Sequence, residues 1–184
     1  MKVLSLNGSL RSASNTQRAL DVALAAASAA GADAQALHLG ALQLPWCDGR
    51  PDESTYGGDA PALRAAILGA DALLVGSPEY HGSFSGALKN ALDLVGPTEL
   101  RGKLVGLVAT ARGDAGAMNT LNHLRHVFRW VEAWVLPAQV SIPRAGEAFG
   151  ADGAILRPGL EDELARLGRE IVRFGGLLRA TPPG

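Results

Sequence analysis

The residues best suited to chemistry form one polar stretch near the N-terminus, NGSLRSASNT at positions 7–16. An apolar run precedes it and an alanine-rich run follows it, so we expect a strand, a loop and a helix in that order. The first N–H groups of a helix have no intrahelical partners, and the helix dipole gives them partial positive charge. Arg11 and the hydroxyl groups of Ser9, Ser14 and Thr16 add further donors. The stretch therefore predicts a phosphate-binding loop. The alternative is that Ser14 or Asn15 only caps the helix and that Arg11 is a solvated surface residue.

Composition and charge narrow the class of protein. The chain has 184 residues, of which 47% are hydrophobic and 19% charged, and its net charge is -1. This length suits one domain, which we expect at residues 1–180, with residues 181–184 as a tail. Without a basic run or an aromatic–basic stripe, we expect no nucleic-acid or membrane partner, and therefore a small molecule or another protein.

The cysteine count and the hydropathy pattern bear on compartment and metal binding. Cys47 is the only cysteine, which excludes an internal disulfide and a four-cysteine metal site, and we predict no metal centre. The N-terminus does not resemble a secretion signal, and no apolar stretch reaches the roughly 18 residues that cross a bilayer. We therefore expect a cytoplasmic protein.

Apolar runs and helical periodicity alternate along the remaining chain. Strands are predicted at residues 2–6, 34–39, 72–77, 104–109 and within 135–142. Helices are predicted at 15–30, 61–68, 84–95 and 160–178, with another helix after the loop at 110–116. The second strand is interrupted by polar residues, which indicates an edge strand. Residues 40–61 have no periodicity, as in lids and binding loops. In that segment Leu44, Trp46 and Tyr56 either pack the loop down or contact a substrate or a second subunit.

The alternation of strands and helices predicts the architecture. We expect an α/β three-layer sandwich, with a five-stranded parallel sheet in the order 2-1-3-4-5 and helices on both faces. Ligands of such sheets bind beyond the carboxyl ends of the strands, where the strand order reverses between strands one and three. The two most unusual stretches of the sequence follow these two strands. Topology and composition therefore indicate the same place.

Two further loops are predicted to face the phosphate-binding loop. In the loop at residues 78–83, Pro78 stiffens the chain, Glu79 and Tyr80 contact a ring, and Gly82 allows close approach of the backbone to a flat ligand. The loop at residues 110–116 is rich in small residues and carries Arg112. A phosphate site, a planar ring and no metal cluster describe a mononucleotide. The G-x-G-x-x-G and G-x-x-x-x-G-K-[ST] fingerprints of dinucleotide and triphosphate sites are both absent.

Two segments carry a family resemblance. Gly8-Ser9-Leu10-Arg11 with Ser14-Asn15-Thr16, and SPEYHGS at 77–83 running into GALKNALD at 86–93, resemble the signatures of the NADPH-dependent FMN reductase family. The resemblance spans roughly residues 2–140. It implies a flavodoxin-like fold, non-covalently bound FMN, NADPH or NADH as electron donor, and a homodimer or homotetramer. The family includes quinone, azo and chromate reductases.

The same resemblance implies roles for individual residues. It assigns the FMN phosphate to Ser9, Arg11, Ser14, Asn15 and Thr16, and the isoalloxazine and ribityl groups to Pro78, Glu79, Tyr80, His81 and Gly82. The third loop departs most from the family pattern and would contribute Ala111, Arg112 and Gly113. No side chain is expected to be catalytic, because the flavin N5 carries the hydride.

Three side chains have alternatives at this point. Tyr80 packs beside the ring or is a partly buried structural tyrosine, and His81 donates to flavin or substrate or caps a turn. Glu79 borders the ring or, alternatively, anchors Arg11 across the two loops.

The resemblance implies an FMN-dependent NAD(P)H oxidoreductase that reduces quinones or similar small acceptors by a ping-pong mechanism. One alternative is a flavin reductase that supplies reduced FMN to a partner monooxygenase. Another is a flavodoxin-like electron carrier, although such carriers tend to be strongly acidic and the net charge here is -1.

The helix after the third loop predicts self-association. Met118, Leu121, Leu124, Phe128 and Val131 form one apolar face, but Val127, Trp130 and Trp134 fall off it. The alternative is that the C-terminal helix covers the two tryptophans.

Overall fold

Five parallel strands and one short antiparallel strand form the sheet of the computed structural model, which describes residues 1–180. The strands are β1 (Lys2–Asn7), β2 (Asp33–His38), β3 (Ala72–Tyr80), β4 (Ser83–Phe84), β5 (Leu104–Thr110) and β6 (Trp134–Ile142). The parallel strands lie in the order β2-β1-β3-β5-β6, and β4 pairs with the end of β3. The predicted order of the five parallel strands is confirmed, including the edge position of the second strand. The predicted tail at residues 181–184 lies outside the described residues.

Helices cover both faces of the sheet. They are α1 (Asn15–Ala29), α2 (Ala60–Gly69), α3 (Gly86–Asp93), α4 (Pro97–Leu100), α5 (Met118–Trp130), α6 (Ala145–Ala148) and α7 (Leu160–Ala180). One apolar core lies between the sheet and α1 and α7, and the other between the sheet and α2, α3 and α5. The predicted three-layer arrangement is therefore confirmed. Among these helices, none is both long enough and apolar enough to cross a bilayer.

The start of α1 lies unusually close to the centre of the sheet. A Cβ on Gly76 of β3 would meet the side chains of Thr16 and Leu20 at 2.8 Å. Only glycine admits this approach, which brings the first turn of α1 to the carboxyl ends of β1 and β3. The loop that precedes α1 is fixed from below, because Gly8 donates to the Gly76 carbonyl at 2.8 Å and the Ser85 hydroxyl donates to the Gly8 carbonyl at 2.6 Å.

The chain after β3 differs from the sequence prediction. The third strand was expected at 72–77 and the next helix from residue 84, but β3 continues to Tyr80 and turns back as β4. His81 and Gly82 have φ values of 52° and 80°, which is the pattern of a two-residue hairpin turn. A strand of two residues is too short to give a period, so the helix prediction began too early.

The long loop at residues 40–61 packs down on α3 and on itself. Asn90 of α3 donates to the Pro45 carbonyl and accepts from the Cys47 N–H, both at 2.9 Å. Tyr56 is buried, and its hydroxyl donates to the Asp48 carboxylate at 2.9 Å. Leu44 joins this small cluster, whereas Trp46 is 80% exposed. The packing interpretation is therefore confirmed for Leu44 and Tyr56 but not for Trp46.

This loop also contains the clearest shifts in acidity. Hydrogen bonds from Arg50 and Tyr56 hold the pKa of Asp48 well below its ordinary value. A hydrogen bond with Cys47 and the burial of the ring raise the pKa of Tyr56 above 10.0. The Arg50 guanidinium stacks 4.4 Å from the centre of the Tyr56 ring. A network of charge-assisted and aromatic contacts therefore maintains the loop conformation.

Helix α5 buries its predicted apolar face except at its first residue. Leu121, Leu124 and Phe128 are fully buried, whereas Met118 is 46% exposed. Trp130 is 82% exposed and Trp134 is 63% exposed. The alternative that α7 covers these two tryptophans is wrong, because α7 packs on α1 and leaves most of both indole rings in contact with solvent.

Candidate functional site

A cleft of about 650 Å³ lies beyond the carboxyl ends of β1, β3, β5 and β6. Its walls come from four segments that are distant in sequence, and they consist of Ser9, Arg11, Ala13, Ser14, Asn15, Thr16, Pro78, Glu79, Tyr80, His81, Thr110, Ala111, Arg112, Ala145 and Gly146. The volume lies within the range of about 300–1,000 Å³ that small-molecule sites occupy. The cleft therefore has the size and position predicted for the ligand site.

The first wall is the loop between β1 and α1. The Asn7 side-chain oxygen accepts from the Ser9 N–H at 3.0 Å, and the Ser9 hydroxyl accepts from the Arg11 N–H at 3.3 Å. These bonds fold the loop into consecutive turns and leave the Arg11 side chain exposed at the cleft. The loop conformation is thus set by its own polar side chains, and Arg11 provides a cation at the rim.

Some polar groups in the first residues of α1 form hydrogen bonds within the protein, and others remain available to a ligand in the cleft. Ser14 is the N-cap of α1, because its hydroxyl accepts from the Gln17 N–H at 3.1 Å. The Asn15 side-chain amide donates to the Ala145 carbonyl at 2.7 Å, so the Asn15 side chain is also engaged. The alternative that these residues stabilise the helix is therefore confirmed for Ser14. The N–H groups of Asn15 and Thr16 have no intrahelical acceptor at this helix start and remain suited to an anion.

A pair of hydroxyl groups joins the first and third walls. Thr16 and Thr110 are buried, and their hydroxyl oxygens lie 2.8 Å apart. Only one hydrogen can lie between the two oxygens, so the other hydroxyl retains a proton to donate. Because both residues line the cleft, this proton is available to an acceptor bound there.

The second wall is the hairpin of β3 and β4. Tyr80 is 51% exposed beside the cleft, and His81 occupies the first turn position with its left-handed backbone. Neither side chain has a hydrogen-bond partner within the described part of the chain. Gly82 takes the second turn position and does not line the cleft, so its backbone freedom serves the turn and not close approach to a ligand.

Glu79 holds this hairpin to α5. One oxygen of its carboxylate accepts from the Thr120 N–H at 3.2 Å and from the Thr120 hydroxyl at 3.0 Å. A second tie joins Ser83 and His123 side chains at 3.0 Å. The alternative that Glu79 anchors Arg11 is wrong, because the Glu79 carboxylate instead accepts from Thr120 and so caps the start of α5. No ion pair joins Glu79 to Arg11 in the structure of residues 1–180.

The third loop and the segment after β6 form the remaining walls. Ala111 donates to the Ile142 carbonyl and accepts from the Ala145 N–H, each at 2.9 Å. Arg112 is exposed at the cleft, but Gly113 does not line it, and the Gly113 carbonyl accepts from the Arg144 N–H at 3.2 Å. The structure thus brings every predicted binding residue to the cleft except Gly82 and Gly113.

Sequence reasoning missed four residues of the cleft, which are Ala13, Thr110, Ala145 and Gly146. Thr110 carries a signal that could have identified it, since it is a polar residue at the carboxyl end of a buried apolar strand. Ala145 and Gly146 follow the predicted fifth strand, so the topological rule that selected the other loops also applies to them. Ala13 is the small residue of the first loop and has no chemical signature.

The donor set fits the FMN that the resemblance implies. The start of α1, the hydroxyl pair and the exposed Arg11 suit a phosphate group. The hairpin backbone and the exposed Tyr80 ring suit a flat polar heterocycle. Two arginines and one carboxylate line the cleft, and Thr120 occupies that carboxylate, so the charge balance favours an anionic ligand.

Comparisons with known proteins agree with this geometry. A model of the NADPH-dependent FMN reductase family matches residues 1–147. The NAD(P)H-dependent FAD/FMN reductase of Geobacillus thermodenitrificans (strain NG80-2) is 30% identical over 148 residues, which are 80% of this chain and 78% of that protein. The NADPH azoreductase of Bacillus sp. (strain OY1-2) is 34% identical over 105 residues, which are 57% of this chain and 59% of that protein.

Solved structures show the same fold. The NAD(P)H:(acceptor) oxidoreductase FerB of Paracoccus denitrificans superposes with a TM-score of 0.72 at 24% identity, over 96% of this chain and 97% of that one. A flavone reductase superposes with a TM-score of 0.77 at 18% identity, over 97% of this chain and 64% of that one. The predicted flavodoxin-like fold is therefore confirmed. Because the family model matches far more than half of the sequence, the chain belongs to the NADPH-dependent FMN reductase family, whose members are oxidoreductases that use FMN and NAD(P)H.

Proposed function

We propose that this chain transfers electrons from NADPH or NADH to quinones or similar small acceptors through FMN. The observation that carries the proposal is that one cleft is lined both by anion donors at the start of α1 and by an exposed aromatic ring, Tyr80. FMN, when bound, supplies the hydride chemistry, and the protein supplies orientation and electrostatics. One cleft for both donor and acceptor implies that the first leaves before the second enters, which is a ping-pong mechanism.

The residues of the cleft divide the work between the two ends of the cofactor. We assign the phosphate to Arg11, to the first N–H groups of α1 and to the Thr16–Thr110 hydroxyl pair. We assign the ring to the backbone of residues 79–81, whose N–H groups would stabilise negative charge on the ring. Tyr80 packs beside the ring and restricts access of water to it, and His81 is a candidate donor to the acceptor.

Similarity to azoreductases supports the proposed class of acceptor. Two relatives are azoreductases, the Bacillus enzyme and an FMN-dependent NADPH-azoreductase of Staphylococcus aureus that is 36% identical over 92 residues. Azo compounds and quinones are small flat molecules that accept two electrons. A cleft mouth bordered by Tyr80 suits such acceptors through ring stacking.

Absorption spectroscopy tests the proposal. The purified, desalted protein is examined in the visible range, reduced anaerobically with NADPH and then treated with benzoquinone. We expect a flavin band that bleaches with NADPH and returns with quinone, and parallel double-reciprocal plots in steady state. A flavin band that NADPH and NADH leave unchanged would overturn the proposal.

A flavin reductase that supplies reduced FMN to a monooxygenase is the second candidate. The name of the Geobacillus relative, an FAD/FMN reductase, favours it. Protein that is colourless after desalting, but consumes NADPH when free FMN is added, would select this candidate. An electron carrier is less favoured, because a net charge of -1 gives little electrostatic docking.

Assembly and compartment are also part of the proposal. The exposed Trp130 and Trp134 support a homodimer or homotetramer that uses the α5 surface. Sedimentation showing a monomer at micromolar concentration would overturn this assignment. A single cysteine needs no oxidising compartment, which supports a cytoplasmic location.

A further inference from the structure

The segment at residues 144–151, called the strap below, closes one end of the cleft. Its residues Ala145 and Gly146 line the cleft beside the start of α1, where the Asn15 side chain contacts Ala145. The strap then enters a small hairpin in which Phe149 bridges Ile155 and the Gly150 N–H donates to the Ala154 carbonyl at 2.8 Å. It lies at the phosphate end of the cleft, because the start of α1 is the anion-binding end.

Arg18 holds the far end of the strap. Its guanidinium donates to the Gly150 carbonyl at 2.9 Å and to the Ala151 carbonyl at 3.2 Å. The same group donates to the Asn15 side-chain oxygen at 3.2 Å. The Asn15 amide in turn donates to the Ala145 carbonyl at 2.7 Å, so one connected network spans the strap. Two side chains from the first turns of α1 therefore help to fix the strap, together with the backbone bonds that join Ala145 to Ala111 and Arg144 to Gly113.

The charge of Arg18 is not neutralised by its partners. The acceptors of its hydrogen bonds are two carbonyls and an amide oxygen, and no carboxylate forms a salt bridge with it among residues 1–180. An uncompensated guanidinium one turn from the helix start adds to the positive potential at the anion end. Arg18 lies within the matched residues 1–147, whereas residues 150 and 151, which it contacts, lie beyond them.

We propose that Arg18 is a positioning residue for cofactor retention. Acting through Asn15 and the strap, it holds the wall over the phosphate end of FMN and slows dissociation of FMN from the protein. The inference rests on the proposed function, since it assumes that FMN binds in this cleft. It also bears on the choice between the two enzyme candidates, because the dissociation rate decides whether FMN stays bound between turnovers.

The test compares FMN with riboflavin, which lacks the phosphate. FMN dissociation from the loaded protein is followed by the recovery of flavin fluorescence after dilution, and riboflavin affinity by titration of the apoprotein. The variants are Arg18→Ala, Arg18→Lys and, as the matched control, Arg169→Ala. Arg169 is an exposed arginine of α7 with no hydrogen bond or ion pair in the described structure. Hydrogen exchange of the strap amides in the apoproteins reports the strap without any flavin.

The expected result is specific to the phosphate end. Arg18→Ala should release FMN about ten-fold faster, since it loses three charge-assisted hydrogen bonds, and should leave the riboflavin Kd within about two-fold. The FMN release rate of Arg18→Lys should lie between those of Arg18→Ala and the unsubstituted protein, because an ammonium cannot span both carbonyls as a guanidinium does. Strap amides should exchange faster in both variants, and Arg169→Ala should match the unsubstituted protein.

Other results would overturn the inference. Equal weakening of FMN and riboflavin would indicate general damage, and faster strap exchange with unchanged FMN release would show that the strap does not retain FMN. If circular dichroism shows that Arg18→Ala does not fold, the comparison of FMN release with riboflavin affinity is made on Arg18→Lys and tests the inference there. Absence of FMN binding to the unsubstituted protein would refute the proposed function and the inference together, which distinguishes that failure from the others.

Discussion

Replacing Glu79 by alanine should destabilise the protein, because Glu79 caps a helix that has no cap of its own. The N-cap residue of α5 is Ala117, which has no side-chain acceptor, and the first turn of α5 contains no acidic residue. Glu79, from a different part of the chain, supplies both the capping acceptor and the negative charge that the start of α5 lacks, since its carboxylate binds the N–H and hydroxyl of Thr120. The hairpin therefore stabilises α5, and α5 in turn positions the hairpin.

The size of the effect follows from the contacts that are lost. Removing an N-cap acceptor costs about 0.5–2 kcal/mol, and the interaction of a carboxylate with the helix dipole is worth about 0.3–1 kcal/mol. For a partly exposed group we expect Glu79→Ala to lower the free energy of unfolding by about 1–2 kcal/mol. Glu79→Gln should cost about half as much, because its amide oxygen still accepts but carries no charge. A chain of 184 residues should lose about 2–4 °C in Tm per kcal/mol.

Urea and thermal unfolding of the apoproteins measure this change, with Glu170→Ala on α7 as the control for loss of an acidic side chain away from a helix start. Hydrogen exchange shows where in the structure the stability is lost, because the Thr120 amide should lose protection first. The difference between Glu79→Gln and the unsubstituted protein should shrink in about 1 M salt, where helix-dipole interactions are screened. The reasoning is refuted if Glu79→Ala and Glu170→Ala agree within about 0.5 kcal/mol and Thr120 exchange is unchanged.

Two further predictions concern packing and pH. A Cβ on Gly168 of α7 would overlap the Ala23 carbonyl of α1, whereas a Cβ on Gly176 of the same helix would meet nothing within 4 Å. Gly168→Ala should therefore lower the free energy of unfolding by about 1–3 kcal/mol, and Gly176→Ala should raise it by about 0.5–1 kcal/mol, as measured by urea unfolding. Two changes of the same sign would contradict this packing. Arg50→Gln should raise the pKa of Asp48 toward its ordinary 3.8, because the hydrogen bond from Arg50 is the main cause that lowers it. The folded state favours the Asp48 carboxylate, so the contribution of Asp48 to stability is present above pH 3.8 and is lost as the pH falls. Carboxyl carbon NMR titration measures the pKa of Asp48. An unchanged pKa in Arg50→Gln would exclude Arg50 as the cause of the shift.

Much of the site could be predicted because its determinants are local. The polar run from Ser9 to Thr16 lies between a buried strand and a helix, so its chemistry and its position at a helix start are both visible in one short stretch. The topological rule for parallel sheets then places the loop after Ser77, where the predicted strand ends, beside it without any knowledge of tertiary contacts. Arg112 follows by the same rule, since it comes directly after another buried strand.

The contacts that could not be predicted are those between distant parts of the chain. The side chain of Asn15 reaches a carbonyl 130 positions away, and Arg18 reaches one 132 positions away. No local period or composition signals such pairs. The incorrect pairing of Glu79 with Arg11 has the same origin, because opposite charge identifies an attraction but not the nearer competitor. Glu79 binds Thr120 and not Arg11 because α5 packs beside the hairpin, and the sequence pattern does not reveal that packing.

The cleft draws its walls from segments between residues 9 and 146, which has a consequence for folding. A ligand that touches all four segments binds only when nearly the whole sheet is assembled, so the unfolded chain offers it no partial site. Cofactor binding is then coupled to the global folding equilibrium and adds about 2.7 kcal/mol of stability when free cofactor is about 100-fold above Kd. With FMN at the proposed site, a newly made chain must complete β6 before it can hold FMN, and bound FMN then protects the whole molecule against unfolding.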